Sequence, residues 1–435
     1  FTLREGLKFS DGTPLTTKDV IASIKRWGAR DNLGAKLLAA AEKLEAKDDR
    51  TFTLDFKKPF GMVLDAFSKP SSIPLFVMPE KVAQTDPFKQ ITDMTGSGPY
   101  MFAADRYRPG EKVVYLKNPY YVPRNEPADG TAGGKHVYVD ELDWVILRDA
   151  QTVANAIEKG EVDVVEMVPN EQYSVLKKNP DIQLLNQTGK QSAMLHLNHA
   201  IPPFNNPKIA QAALMAINQA ALQRAQIVHK ELWNTCTSIY PCGSLYASDK
   251  TDYFTGKPQF KRAQELLKEA GYDGTPVVLM LPADMPSLNK YPPVMAELLR
   301  RAGFKVDLQS MDWATLVTRR TKSSPVSEGG WNGFITFWNQ ADTFNPLFFA
   351  PLTGSGLKGW FGWTDDPKLE ALKDEFVGTS DLAKRKELAE GIQLRVMDSG
   401  VYGMLGEAKP IIALRKNISG LVEAPISVFW GLKKD

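Results

Sequence analysis

Trp338 and Asp342 stand four residues apart in the stretch Trp331–Pro346, WNGFITFWNQADTFNP. An indole face and a carboxylate so close suit a ligand with an apolar body and a cationic end, since the ring offers a negative π face and the carboxylate a full charge. A core tryptophan followed by a helix-capping aspartate would read the same way, because Asp before a helix is ordinary. Arg320 lies seven residues after Trp313 in MDWATLVTRR, so a helix there would carry both on one face. The chain has four histidines, His136, His196, His199 and His229. His196 and His199 flank the end of an expected strand, where an i, i+3 pair does not share a face, so they read as surface or partly buried side chains. Asp163 and Glu166, near another strand end, are what remains for an acid–base pair. The glycines at 96 and 98, or at 354 and 356, are not followed by Lys-Ser/Thr, and neither His-Glu-x-x-His nor Gly-x-Ser-x-Gly occurs. No catalytic residue, no metal site and no cofactor is expected.

The elements that must position these residues follow from periodicity. Gly333–Phe337 is a short apolar run that reads as a buried strand, and loops at the ends of α/β strands are where ligands usually bind. Thr16 reads as a helix cap with Asp19 completing a capping box, and Val20, Ile21, Ile24 and Trp27 give the helix an apolar face. Thr51–Phe56, Pro99–Phe102, Val113–Leu116, Val137–Val139, Leu142–Leu147, Val162–Val165 and Ser192–Asn198 read as strands. A helix over Ala150–Glu158 stops at Gly160. From about 221 the pattern restarts: helix Lys261–Ala270, strand Val277–Leu281, helix Tyr291–Ala302, strand Lys305–Leu308, helix Trp313–Thr321. Helices over Lys368–Val377 and Leu382–Asp398 and a strand over Tyr402–Leu405 close it. Such alternation predicts an α/β protein with open, mostly parallel sheets.

With 435 residues there is room for two or three domains, and a hydrophobic share of 43% is that of a globular chain. The formal charge of +2 rests on 53 basic and 51 acidic residues without a basic block, which excludes a nucleic-acid partner as a compositional reading. No apolar run is long enough to span a membrane.

Leu3–Val20, LREGLKFSDGTPLTTKDV, resembles the signature segment of the extracellular solute-binding proteins of the peptide/nickel family, that is family 5, the oligopeptide- and dipeptide-binding receptors of ABC importers. Leu3, Arg4, Gly6, Phe9, Asp11, Gly12, Thr13, Pro14, Thr16, Asp19 and Val20 fit its pattern. GSGPY at 96–100, LKNPYY at 116–121, Pro203–Phe204 before a helix, and Trp338…Asp342…Pro346 resemble further family motifs in the same order.

The resemblance implies a two-lobed periplasmic-binding-protein clamshell with an additional small domain, type II and cluster C-like. Residues 1–95 would be the small family-specific domain, 96–220 with 410–435 the first α/β lobe, and 221–409 the second. It implies a receptor that captures an oligopeptide-like or other small polar solute in an interlobe cleft and delivers it to an inner-membrane ABC permease, and not an enzyme. A hydrolase on the same scaffold is the alternative. The ligand set it implies is Trp313, Arg320, Trp338, Asp342, Thr343, Met194 and Glu407, with Arg320 meeting a ligand carboxylate and Asp342 a ligand amino group. Asn218 and Gln219 depart from an acidic–basic pair common in the family, and Ala210 from an arginine, so the ligand class stays open among peptides, nickel complexes, opines, sugars and other metabolites. A monomer in the periplasm or outside the cell is expected, with or without a membrane tether, as are a signal peptide and an opening strand ahead of Phe1. In an exported protein Cys236 and Cys242, in NTCTSIYPCGSL, read as a disulfide. Two unrelated buried thiols are the alternative, and a zinc site would find His229 alone nearby.

Overall fold

In a computed structural model that describes residues 1–186 and 189–435, the first helix, Thr17–Gly28, begins with the capping box its sequence announces. One carboxylate oxygen of Asp19 accepts the Thr16 amide at 2.8 Å and the other accepts the Glu80 amide at 2.8 Å. Val20 and Ile24 then pack on Phe52. Asp31 caps the next helix, Asn32–Ala40, by accepting the Leu33 and Gly34 amides, each at 2.9 Å. It also pairs with Lys69, and both are buried, which is tolerable only because each charge has its partner.

Strand β1 (Ala41–Ala46) follows without a turn and pairs antiparallel with β2 (Phe52–Phe56), Leu44 opposite Leu54. Its sequence, AEKLEA, favours helix. Pairing with the alternating strand beside it outweighs that local preference. β3 (Tyr100–Phe102), β4 (Lys112–Lys117) and β5 (Glu141–Val145) form an antiparallel sheet in that order. Residues 137–139, expected as a strand, are irregular.

Three of the sequence motifs meet beside this sheet. Asn118, of the LKNPYY segment, donates its side-chain amide to the Gly98 carbonyl at 2.8 Å and its backbone amide to the Pro99 carbonyl at 3.0 Å. The Ser10 amide reaches the Gly96 carbonyl at 2.8 Å. Gly12 turns with φ +84°, and a Cβ there would lie 3.0 Å from the Tyr120 ring. The Asp-Gly turn therefore needs glycine both for its dihedral and for the close approach of that tyrosine.

Asp149 caps the helix Ala150–Lys159, which ends at Gly160 with φ +76°. β6 (Val164–Val165) and β7 (Ile182–Leu185) complete this part of the chain.

Residues Lys190–Lys409 form a second unit, and Phe1–Gly189 with Pro410–Asp435 the first. The second unit is built on β8 (Gln191–Leu197), β9 (Trp233–Asn234), β10 (Val277–Pro282), β11 (Val306–Met311), β12 (Gly333–Asn339) and β13 (Tyr402–Ala408), in spatial order β11-β10-β12-β8-β13-β9. β10 runs parallel to β11 and β12, with the helix Tyr291–Arg301 between β10 and β11 in sequence and the helix Trp313–Arg319 between β11 and β12. The other pairings, β12–β8, β8–β13 and β13–β9, are antiparallel. The expectation of mostly parallel sheets is thus corrected to a mixed sheet here and antiparallel sheets in the first unit. A parallel neighbour needs a crossover helix, whereas β8 opens the unit and is laid directly against β12 and β13.

Because β8 is the central strand, the division falls at Gly189/Lys190, ahead of the boundary at 221 read from the sequence. The chain then returns to the first unit. There β14 (Ile412–Arg415) lies between β6 and β7, and β15 (Ile418–Ser419) pairs with β16 (Lys433–Lys434). Among the described residues no helix is long and apolar enough to cross a membrane.

Candidate functional site

Asp312 starts the helix Trp313–Arg319 by accepting the Thr315 amide at 2.9 Å, and Arg320 ends it, its amide bonded to the Leu316 carbonyl at 2.9 Å. The helical spacing does bring Trp313 and Arg320 together: the guanidinium carbon lies 5.8 Å from the centre of the Trp313 ring. Three further rings surround that carbon, Phe361 at 5.1 Å, Trp360 at 5.7 Å and Phe334 at 5.9 Å. The Arg320 backbone carbonyl is fixed from behind by the indole N–H of Trp331 at 3.1 Å, and Trp331 is fully buried. Burial lowers the guanidinium pKa from its usual value, which leaves it charged. Among the described residues its buried Nε finds no hydrogen-bond partner and no carboxylate forms an ion pair with it.

The sheet supplies the floor. Side chains alternate along β12, and register pairs Phe334 with His196, Thr336 with Met194 and Trp338 with Ser192 of β8. Across β8, Tyr402 and Met404 of β13 stand opposite His196 and Met194. One face of the sheet therefore carries Phe334, Trp338, His196 and Tyr402. Trp360 lies against Trp338 at 5.5 Å and against His196 at 5.0 Å. The Trp338 indole donates to His196 Nε2 at 3.2 Å, and Phe349 meets the Trp338 ring edge-on at 5.0 Å. His196 is only 2% exposed. The reading of the histidines as surface or partly buried is therefore corrected for His196: a neutral imidazole can lie in an aromatic layer when a ring nitrogen is satisfied. His199 stands apart on backbone carbonyls, Nδ1 at 3.0 Å from that of Phe204 and Nε2 at 3.2 Å from that of Val401.

The other expected ligand residues are placed differently. Asp342 is buried in the four-residue helix Gln340–Thr343, where its carboxylate accepts the Asn339 amide at 3.2 Å in a capping box. Thr343 is buried too, its hydroxyl directed at the Asn339 carbonyl at 3.4 Å. Met194 is fully buried between β12 and β13. Glu407 is also fully buried, and its acceptors are engaged: the Cys242 amide at 2.8 Å, the Asn234 side-chain amide at 2.7 Å and the Lys190 ammonium at 3.1 Å.

Cys236 and Cys242 are joined by a disulfide, their Cα atoms 5.8 Å apart. Glu407 and Lys190 clamp one end of that loop, since Lys190 also donates to the Cys242 carbonyl at 2.6 Å. Gln219 clamps the other end through both backbone groups of Cys236, at 2.9 and 2.6 Å. Asn218 caps the helix Gln219–Gln226. The two positions that depart from the family's charged pair are therefore structural in this chain.

Sequence reasoning missed Phe334, Trp360, Phe361 and His196 as parts of the site. Phe334 and His196 had a legible signal, since each shares a strand face with a residue already singled out; Trp360 and Phe361 come from a loop that only the tertiary fold brings over.

The family profile of bacterial extracellular solute-binding proteins, family 5 (middle region), matches residues 1–360. A probable peptide ABC transporter periplasmic-binding protein of Sinorhizobium fredii is 35% identical over 441 residues, covering 100% of this chain and 82% of its own length. Among solved structures, the dipeptide-binding protein of a Pseudoalteromonas species with Met-Leu superposes with a TM-score of 0.79 at 21% identity, covering 100% of this chain and 87% of that one. The periplasmic binding protein AgaA of A. tumefacien R10 with agropinic acid superposes with a TM-score of 0.80 at 23% identity, covering 100% and 86%. The fold is that of the type II periplasmic binding proteins, and the chain belongs to the bacterial extracellular solute-binding proteins of family 5.

Proposed function

We propose that this chain is the solute receptor of an ABC importer for a small peptide or a comparable carboxylate-bearing solute. The carboxylate would sit on Arg320 and the apolar groups on the rings of Trp313 and Trp338. The observation that carries the reading is Arg320 itself: a partly desolvated guanidinium, ringed by four aromatic side chains, with a buried Nε that has no partner among the described residues. Such a group is costly until an acceptor arrives, and a carboxylate can take two parallel N–H bonds from it. The ligands named for two related folds, a dipeptide and an acid, each offer that carboxylate.

For the amino end of the solute we propose Asp342, with Thr343 beside it, as the resemblance implies. Met194 and Glu407 act without touching the solute, Met194 as buried packing on the same sheet face as His196 and Trp338 and Glu407 as the anchor of the disulfide loop. The receptor works as a monomer in the periplasm and hands its solute to the permease without chemical change.

Calorimetric titration with Met-Leu, its C-terminal amide and its N-acetyl form tests this. The free dipeptide binds; the amide binds at least tenfold more weakly. N-acetylation weakens binding if Asp342 holds the amino group. Equal affinity for the acid and its amide would remove Arg320 from the site. Mass spectrometry of solute that co-purifies identifies the natural ligand, and recovery of that solute intact separates receptor from hydrolase.

A further inference from the structure

His196 is a buried titratable side chain that the reading above does not use. It sits on β8 with Phe334 of β12 and Tyr402 of β13 as its cross-strand neighbours. Its ring stacks on Phe334 at 4.9 Å with 23° between the planes. Its Nε2 accepts the Trp338 indole N–H at 3.2 Å. Nε2 can accept only when it carries no proton, so the ring is neutral with its hydrogen on Nδ1. Trp338 has one polar atom, and this bond consumes it, fixing the rotation of the indole on its strand. Among the described residues the charged and titratable groups packed about the imidazole are the Arg320 guanidinium, from the end of the helix Trp313–Arg319, and Tyr402 of β13, whose ring centre lies 6.1 Å away. Burial, first, and the charge of Arg320 both oppose protonation and hold its pKa at about 3.

We propose that His196 is a positioning residue for ligand recognition: as an uncharged acceptor it locks the Trp338 indole in the orientation offered to the solute, and it leaves the cationic role to Arg320. Packing alone could also place a ring here, and two substitutions separate the roles. His196→Gln keeps an acceptor near the Nε2 position and loses the ring. His196→Phe keeps a ring on Phe334 and loses the acceptor. The role of Trp338 as a ligand contact rests on the function proposed above; the state of its indole in the ligand-free protein does not.

The test has a ligand-free arm and a binding arm. The Trp338 indole N–H is assigned in nitrogen-15 spectra by its loss in Trp338→Phe. It is expected downfield and protected from solvent exchange in the wild type, unchanged in position from pH 8 to pH 5, retained in His196→Gln and lost or shifted in His196→Phe. With Met-Leu as the probe, His196→Gln binds within about threefold of wild type and His196→Phe at least tenfold more weakly. A wild-type indole N–H that exchanges freely, or that titrates between pH 5 and 8, overturns the proposal without reference to either variant. So does the reverse ranking of the variants, or equal behaviour. If Met-Leu fails to bind wild type, the dipeptide reading fails and the indole spectra still decide the role of His196.

Discussion

Replacing Arg320 by Gln removes the guanidinium charge from the aromatic ring set while keeping much of the side chain's length. In the ligand-free protein two effects oppose each other. The guanidinium loses its contacts with four rings at 5.1–5.9 Å, worth about 0.5–1 kcal/mol each where exposed and not additive. Against that, a desolvated cation with an unbonded Nε disappears, which relieves a cost of about 1–3 kcal/mol. The net should be near zero, and a shift of the ligand-free melting temperature beyond about 4 °C is not expected for a unit of this size.

Binding is another matter. Truncating one partner of a hydrogen-bonded charge pair in an interface costs about 2–5 kcal/mol. Arg320 is partly exposed, so the lower part of that range applies, about 2–3 kcal/mol, or roughly 30- to 150-fold in Kd. Arg320→Lys keeps the charge but loses the planar fork and its stacking, and should fall between. The assay is calorimetric titration of wild type and variants with Met-Leu and with its C-terminal amide. In the resulting cycle most of the loss should appear only when both guanidinium and carboxylate are present. If Arg320→Gln weakens the acid and the amide by the same factor, the arginine is not the carboxylate's partner and the reasoning fails.

Asp342→Asn keeps a capping side chain, so the ligand-free melting temperature should hardly move. If the carboxylate anchors a ligand amino group, affinity for Met-Leu falls on the order of a hundredfold while that for N-acetyl-Met-Leu stays put; calorimetry of both ligands reads this. Reduction of the Cys236–Cys242 bond should lower stability by about 2 kcal/mol, given a loop of separation 6, and alkylation of the oxidised protein should find no free thiol. Stability should also fall with acidity through His196, whose pKa is depressed to about 3 in the fold against 6.5 when unfolded. Between those values the unfolded chain binds the extra proton, so stability drops as pH falls, by about 1.4 kcal/mol per pH unit. Denaturant titrations at pH 6.5 and 5.0 should show wild type losing about 2 kcal/mol more than His196→Gln. Glu407→Gln, which sets an amide donor among the donors of Cys242, Asn234 and Lys190, should cost about 3 kcal/mol and leave the specificity for acid over amide unchanged.

Much of the chain was decided locally. The Thr16–Asp19 capping box, the strand at Gly333, the glycine stop at Gly160, and the placement of Trp313 and Arg320 on one helical face follow from interactions that span only a few residues. Backbone geometry makes such interactions nearly independent of context. Five ordered motifs, which the fold partly explains through Asn118, Gly12 and Tyr120, carried the family.

The tertiary structure decided the rest. AEKLEA became strand β1 because β2 was there to pair with it. The unit boundary moved to Gly189 because β8 fills the centre of the second sheet. Glu407, which the family resemblance offers as a ligand residue, is instead a fully buried anchor because register sets it opposite Asn234 and beside Cys242. The cage around Arg320 draws on residues 313, 334, 360 and 361, and the lock on Trp338 on residue 196. Periodicity states which face of an element a residue occupies; which other face it meets depends on strand order and register, and those are settled by the packing of the whole chain.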